Sequence, residues 1–230
     1  MVFHGFQKMT MLDFPGLVAC TVFTAGCNFR CPFCHNSPLV TDITDDEIHT
    51  EDEILEYLHK RKGILDGICI SGGEPLMHDG LFDFLKKVRE TGLKIKLDTN
   101  GSYPDKLREI VSAGLVDYVA MDIKNCPSKY PVTAGSNETA FENVRKSVTY
   151  LLNGNIPYEF RTTVVKEFHT LSDMWELGRF IEGAEKYYIQ QFIDSERNIS
   201  QGLTPFAREE LENVLESVRQ YVKFAEIRGV

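Results

Sequence analysis

Three cysteines, Cys27, Cys31 and Cys34, fall in the segment Gly26-Cys27-Asn28-Phe29-Arg30-Cys31-Pro32-Phe33-Cys34-His35-Asn36. A cubane iron–sulfur cluster has four irons and normally takes a thiolate on each. A trio packed this tightly would leave one iron with an open coordination position, and an open iron can bind a substrate. Two other readings compete. Spacings of four and three put the cysteines on one face of a helix, where small apolar residues pack. Pro32 lacks the N–H that such a helix needs, and Gly26 and Asn28 are poor helix formers, which favours a loop. Three sulfurs and the His35 nitrogen would also make a tetrahedral zinc set, although Cys34 and His35 are adjacent and zinc knuckles use two separated ligand pairs.

The pattern Cys-x-x-x-Cys-x-aromatic-Cys, with Phe33 as the aromatic, resembles the signature of the radical S-adenosylmethionine enzymes. That resemblance implies that Cys27, Cys31 and Cys34 hold a [4Fe–4S] cluster. It also implies that the amine and carboxylate of S-adenosylmethionine chelate the fourth iron, and that Phe33 lies near the adenine. With Asp13-Phe14-Pro15-Gly16 before the motif and Cys34-His35-Asn36 at its end, the chain is similar to the activases of glycyl radical enzymes. Within these it resembles most the longer form of the anaerobic ribonucleoside-triphosphate reductase activators, because Phe14 stands where the pyruvate formate-lyase activators have glycine. One cysteine, Cys69, lies between Cys34 and Gly72, in a strand-like run, and none follows Cys126. A single cluster is therefore expected, without a ferredoxin-like insert or a C-terminal auxiliary cluster.

The elements that must position these residues are legible as alternating patterns. Strands are predicted at Val18 to Phe23, Gly67 to Ser71, Ile95 to Thr99, Tyr118 to Ile123, Tyr158 to Val165 and Tyr187 to Phe192. Helices are predicted between them. Thr50-Glu51-Asp52-Glu53 reads as a capping box ahead of Ile54, Leu55 and Leu58. A second helix runs from Leu81 to a stop at Gly92, and a third from Pro104 to Gly114. Val144, Val148, Leu151 and Leu152 mark a fourth, and Leu171 to Ile181 a fifth, whose Met174, Trp175 and Phe180 read as core packing. Thr204-Pro205 reads as the start of the last helix, which carries Leu211, Leu215 and Val218. Such alternation implies a parallel sheet with right-handed crossovers. A complete eightfold barrel needs about 250 residues, so the expected fold is α/β, an open partial (β/α)6 barrel of the radical SAM type.

At 230 residues and 43% hydrophobic content the chain can bury one good core, and residues 1–230 read as a single radical SAM domain. A net charge of -9, without a cluster of Lys and Arg, argues against a nucleic-acid partner. No apolar run approaches the ~20 residues that span a bilayer. The first ten residues do not resemble a signal peptide, so the expected location is cytoplasmic, with no membrane association. Cys20 and Cys69 read as small core residues and Cys126 as a loop cysteine, not as a disulfide framework. The acidic run Asp42 to Asp46 reads as a solvated loop.

In parallel α/β proteins ligands bind at the carboxyl ends of the strands, and that is where the unusual residues fall. Gly72 and Gly73 would let backbone approach a ligand closely, and Glu74 offers charge for an ammonium group. Two glycines before Pro75 also make an ordinary turn. After the next strand come Asp98 and Thr99, followed by Asn100-Gly101, a turn signal in its own right. Asp122 and Lys124 are two apart and share a strand face, where they could pair with each other or bind a ligand.

The resemblance covers Asp13 to about Phe192. It implies that Gly72, Gly73 and Glu74 hold the methionyl amine, and that Asp122 and Lys124 contact the ribose and the methionyl carboxylate. It also implies that Asp98, Thr99 and Asp122 surround a monovalent cation. Arg161 and Thr163 are expected to line the cofactor cleft, and His169 to be a surface loop residue. Ile189-Gln190-Gln191-Phe192-Ile193 lacks the adenine-side histidine of the pyruvate formate-lyase activators, leaving Gln191 or Phe192 for that contact.

The chemistry so implied is reductive cleavage of S-adenosylmethionine, with the electron supplied by a flavodoxin or ferredoxin, and abstraction of a glycine hydrogen from a partner glycyl radical enzyme. Rival readings are a pyruvate formate-lyase-type activator, a small-molecule enzyme such as a 7-carboxy-7-deazaguanine synthase, and a zinc-stabilised binding module without activity.

Overall fold

A computed structural model describes residues 1–44 and 48–229. Asp42 is exposed, while the remainder of the expected acidic loop from Asp45 onward lies outside the described residues. The chain divides into two compact units: Met1–Asn28, Pro38–Thr99 and Asp105–Val119 form one, and Phe29–Ser37, Asn100–Pro104 and Ala120–Val230 the other.

The first unit begins with strands β1 (Val2–Phe3), β2 (Phe6–Thr10) and β3 (Ala19–Thr24), followed by β4 (His49–Thr50) and helix α1 (Glu51–Lys60). Then come β5 (Gly67–Gly72), α2 (Leu81–Glu90), β6 (Lys94–Thr99) and α3 (Pro104–Ser112). β3, β5 and β6 pair in parallel, β2 is antiparallel to β3, and β1 is antiparallel to β4. Ala19, Cys20, Val22, Ile68, Cys69 and Ile70 are fully buried. Sheets covered on both faces bury their strands in this way, which is why both segments read as continuous apolar runs. Burial pushes the Cys20 thiol up to about 12, as expected of an inert core cysteine. At the start of α1, Glu53 N–H donates to Thr50 Oγ1 at 3.2 Å and Thr50 N–H donates back to the Glu53 carboxylate at 2.8 Å, the reciprocal cap that the sequence predicts.

β7 (Tyr118–Asp122) leads from the first unit into the second, which continues with α4 (Tyr130–Ala134), α5 (Glu138–Leu152), β8 (Tyr158–Val164), α6 (Leu171–Phe180), β9 (Tyr187–Gln191), α7 (Arg208–Arg219) and β10 (Ala225–Arg228). β8, β9 and β10 are parallel neighbours. The six predicted strands therefore all form, each within one residue of its expected ends, in a mixed α/β fold whose strands are mostly parallel.

Among the described residues four short strands lie outside the sequence prediction, because β1 and β4 have only two residues each and β2 and β10 are short runs with two apolar residues apiece. The last helix starts at Arg208 instead of Pro205: Thr204 N–H is held by the Glu167 carboxylate, and Ala207 N–H donates to Glu210 at 2.6 Å, so the cap forms three residues later. Trp175 is also not a core residue. It is 44% exposed and stands edge-on to Tyr221, whereas Met174 beside it is fully buried.

Candidate active site

The first unit carries Cys27, Gly72, Gly73, Glu74 and Asp98, and its central feature is the contact between two chain reversals. β3 ends at Thr24 and passes through Gly26, at φ +84°, into Cys27, while β5 ends at Gly72, at φ +115°. Gly73 N–H donates to the Thr24 carbonyl and Glu74 N–H to the Gly26 carbonyl, both at 2.8 Å. A Cβ on Gly73 would sit 1.9 Å from the Gly26 oxygen, and one on Gly72 2.3 Å from the Thr24 oxygen. The Gly-Gly pair thus holds its turn directly against the entrance to the cysteine segment. Glu74 is fully buried, and its Oε1 accepts from Leu76 N–H at 3.1 Å and Thr99 Oγ1 at 2.8 Å. This carboxylate ties the turn to the end of β6.

Asp98 is bonded through Oδ1 to the ammonium of Lys96, and through Oδ2 it accepts from Ser71 Oγ at 3.1 Å. Lys96 is only 1% exposed, and its Nζ lies 3.7 Å from Cys69 Sγ. This lysine belongs to none of the sequence motifs, although its spacing of two from Asp98 puts both on one strand face. Upstream, Asp13 accepts from Thr21 Oγ1 at 2.6 Å, and Phe14 is buried against Tyr118 and Ala19. A Cβ on Gly67 would come within 3.1 Å of the Phe14 ring, so the aromatic at this position answers to local packing.

The second unit carries Cys31, Phe33, Cys34, Asp122, Lys124, Arg161 and Thr163. Cys31 to Cys34 form a turn, with Cys34 N–H donating to the Cys31 carbonyl at 3.0 Å, and no helix runs through the segment, as Pro32 requires. Arg30 N–H donates to the Ala134 carbonyl at 3.0 Å, and Cys31 Sγ lies 3.6 Å from that same oxygen. The end of α4 therefore steadies the motif. Gly135 follows at φ +57°, where a Cβ would stand 2.4 Å from the Arg30 oxygen.

At the end of β7 three charges meet. Asp122 Oδ1 is 2.9 Å from Arg161 Nε and Asp122 Oδ2 is 2.9 Å from Lys124 Nζ. Burial works against the Asp122 carboxylate, but the guanidinium and the ammonium outweigh it and hold the carboxyl down at about 2. Burial likewise opposes the charge on Lys124, yet Asp122 drives its pKa above the usual lysine range. Thr163 Oγ1 lies 3.5 Å from Gln190 Oε1.

His169 is not a surface residue: it is 2% exposed, with Nε2 2.9 Å from the Lys124 carbonyl and Nδ1 3.1 Å from Val165. Burial lowers its pKa, and its ring stands edge-on to Phe33, which also packs on Phe168. His169 thus links the aromatic of the cysteine motif to the backbone of Lys124, a role that no local sequence signal announces. Cys126 is a loop cysteine, as expected, but a fully buried one, and burial raises its thiol. Of the two residues expected to replace the adenine-side histidine, Phe192 is 1% exposed and stacks on His35, while Gln191 donates to the Phe206 carbonyl at 2.9 Å and leaves its Oε1 without a hydrogen-bond partner.

Among the described residues no three His, Cys, Asp or Glu side chains converge as they would on a single metal ion. A cubane spreads its thiolates around a cage of four irons and asks for a wider spacing.

A profile described as the radical SAM superfamily matches residues 21–181. A Methanocaldococcus jannaschii protein assigned as a glycyl-radical enzyme activating enzyme is 30% identical over 196 residues, covering 82% of this chain and 78% of its own. The pyruvate formate-lyase 1-activating enzyme of Escherichia coli is 26% identical over 240 residues, with 95% of each chain covered. Among solved structures, SuiB of Streptococcus suis bound to S-adenosylmethionine aligns with a TM-score of 0.70 at 16% identity. That match covers 90% of this chain and 49% of SuiB, so the chain spans about half of SuiB's length, and the likeness is one of fold.

The chain belongs to the radical SAM superfamily. Within it, this is an enzyme of the glycyl-radical-enzyme activating kind. Membership implies a [4Fe–4S] cluster and S-adenosylmethionine, and the residues present fit both: the cysteine trio is a soft donor set, and the turn packed on Gly26, next to Cys27, has lost its side-chain bulk at Gly72 and Gly73.

Proposed function

We propose that this chain binds a [4Fe–4S] cluster through Cys27, Cys31 and Cys34 and generates a glycyl radical on a partner enzyme, the anaerobic ribonucleoside-triphosphate reductase. When bound, the cluster and S-adenosylmethionine would supply one-electron cleavage of the sulfonium to methionine and an adenosyl carbon radical, which takes a hydrogen atom from a glycine Cα and leaves as 5′-deoxyadenosine. The electron comes from a flavodoxin or ferredoxin.

The protein's own work is binding and orientation. Gly72 and Gly73 present backbone to the methionyl amine, with Glu74 bracing that turn from inside the unit. Lys124, its charge secured by Asp122, is the donor for the methionyl carboxylate, and the Asp122 side serves the ribose. Arg161 and Thr163 line the cleft, and Phe33, fixed by Phe168 and His169, flanks the adenine. Fixing these groups before the radical forms matters, because a primary carbon radical reacts with whatever lies nearest.

The observation that carries this reading is the packing of Gly73 on Gly26, which presses the Gly-Gly-Glu turn against the cysteine segment in a chain of this family. The reductase is favoured as target by the Asp-Phe-Pro-Gly turn. Pyruvate formate-lyase is the second candidate, supported by the match along 95% of its Escherichia coli activator. Anaerobic reconstitution with each candidate enzyme, a reductant and S-adenosylmethionine tests both. A glycyl radical signal in electron paramagnetic resonance is expected on the reductase. Formation of 5′-deoxyadenosine without a protein radical on either candidate would instead favour a small-molecule substrate.

A further inference from the structure

The expected monovalent cation meets a set of oxygens that are already committed. Asp98 Oδ1 is bonded to the Lys96 ammonium and its Oδ2 accepts from Ser71 Oγ at 3.1 Å. Thr99 Oγ1 is spent on Glu74 at 2.8 Å. In the second unit, both Asp122 oxygens face protein cations, Arg161 and Lys124, each at 2.9 Å. A carboxylate attracts a metal cation most strongly when its charge is not already met by a protein cation. Here each aspartate is already neutralised within its own unit, and at Asp98 the neutralising group is a lysine that is 1% exposed. An ammonium so deeply buried is tolerated only with a counter-charge, and Asp98 is the carboxylate bonded to it.

We infer that the Lys96 ammonium is the resident cation of Asp98, standing where a monovalent metal ion would otherwise be needed, so that this enzyme binds S-adenosylmethionine independently of potassium and sodium. Lys96 is then a positioning residue. It neutralises Asp98 and fixes that carboxylate at the end of β6, beside the Ser71 that precedes the Gly-Gly-Glu turn. A tethered ammonium cannot be diluted away, so the arrangement is indifferent to the salt of the medium.

The inference rests on the functional reading above, and the experiment separates the two. The anaerobic, cluster-reconstituted protein is titrated with S-adenosylmethionine in choline chloride and in potassium or sodium chloride at equal ionic strength. Wild-type Kd is expected to agree within about twofold among the salts, since screening is then the same. Tightening of about tenfold or more, about 1.4 kcal/mol, in either alkali salt would overturn the inference. Lys96→Ala, which opens the space taken by the ammonium, is expected to bind at least about tenfold more weakly in choline and to recover in potassium or sodium, because Asp98 is left uncompensated. A folded Lys96→Ala protein indifferent to the salt counts against the ammonium as a stand-in, and if this variant does not fold the wild-type comparison decides alone. Absence of binding in every salt would sink the functional reading instead. The thermal midpoint in the same salts without S-adenosylmethionine would still test Lys96: a potassium- or sodium-specific rise in wild type would count against it.

Discussion

Asp122 stands between two cations, and that placement has consequences that can be measured apart from catalysis. Its folded pKa, about 2, lies below the ordinary value of 3.8. The folded state therefore holds the proton less tightly than the unfolded chain. The stabilisation is complete above the unfolded value and is lost as pH falls through the folded one. Asp122→Asn is expected to be less stable than wild type at neutral pH, with the gap constant down to about pH 5 and closing toward about pH 2. Denaturant titrations across that range check it, and a gap that widened in acid would contradict the pairing. Lys124 is coupled to the same carboxylate but has a separate expected role in the cofactor. Lys124→Ala should weaken S-adenosylmethionine binding by the worth of a charged hydrogen bond, about 1.5 to 3 kcal/mol, with unchanged affinity in calorimetry as the contrary result.

Glycines at the ends of strands and helices look alike in sequence and act differently in the fold. Gly92 closes α2 at φ +82° with nothing within 4 Å of where a Cβ would stand, whereas Gly73 would drive a Cβ into the Gly26 carbonyl at 1.9 Å. Gly92→Ala should therefore cost only the backbone strain, about 1 kcal/mol of stability, and leave cluster content intact. Gly73→Ala must displace backbone beside Cys27. It is expected to lose most of its reconstituted iron and sulfide while circular dichroism still reports the helices and strands. Equal iron content in the two variants would break the link between the Gly-Gly-Glu turn and the cysteine segment. The same lesson applies to α7, where a Thr-Pro pair has the look of a helix start but Glu210 caps Ala207 further along the chain.

For the molecule as a whole, the distinction that matters most is between an iron–sulfur enzyme and a zinc-stabilised binding module. Anaerobically prepared protein is expected to contain iron and acid-labile sulfide with negligible zinc, and zinc without sulfide would remove the enzyme reading. Among the described residues no helix is long and apolar enough to cross a membrane. With a net charge of -9, the chain has no cationic excess with which to hold nucleic acid by phosphate contacts. Its relatives are named as activating enzymes of a glycyl-radical enzyme and of pyruvate formate-lyase, both of them proteins.

Local chemistry determined a large part of this protein from its amino-acid order. The cysteine spacing, the glycines where β5 ends, the Thr50 cap and the six predicted strands depend on neighbours within a few residues, so they can be read without coordinates. Lys96 and Asp98 belong on the same footing, since a separation of two within β6 puts them on one face, whereas Lys124 lies beyond the end of β7 and its pairing with Asp122 is a contact of the fold. Tertiary structure alone decided the rest. His169 became a buried brace because a distant strand end brought the Lys124 carbonyl within 2.9 Å of its ring. Arg161 found Asp122 across 39 positions of chain, and Gly73 found Gly26 across a strand pair. These contacts are set by how strands stack side by side, a long-range choice made by burial of apolar surface that leaves no mark in the residues on either side of the groups concerned.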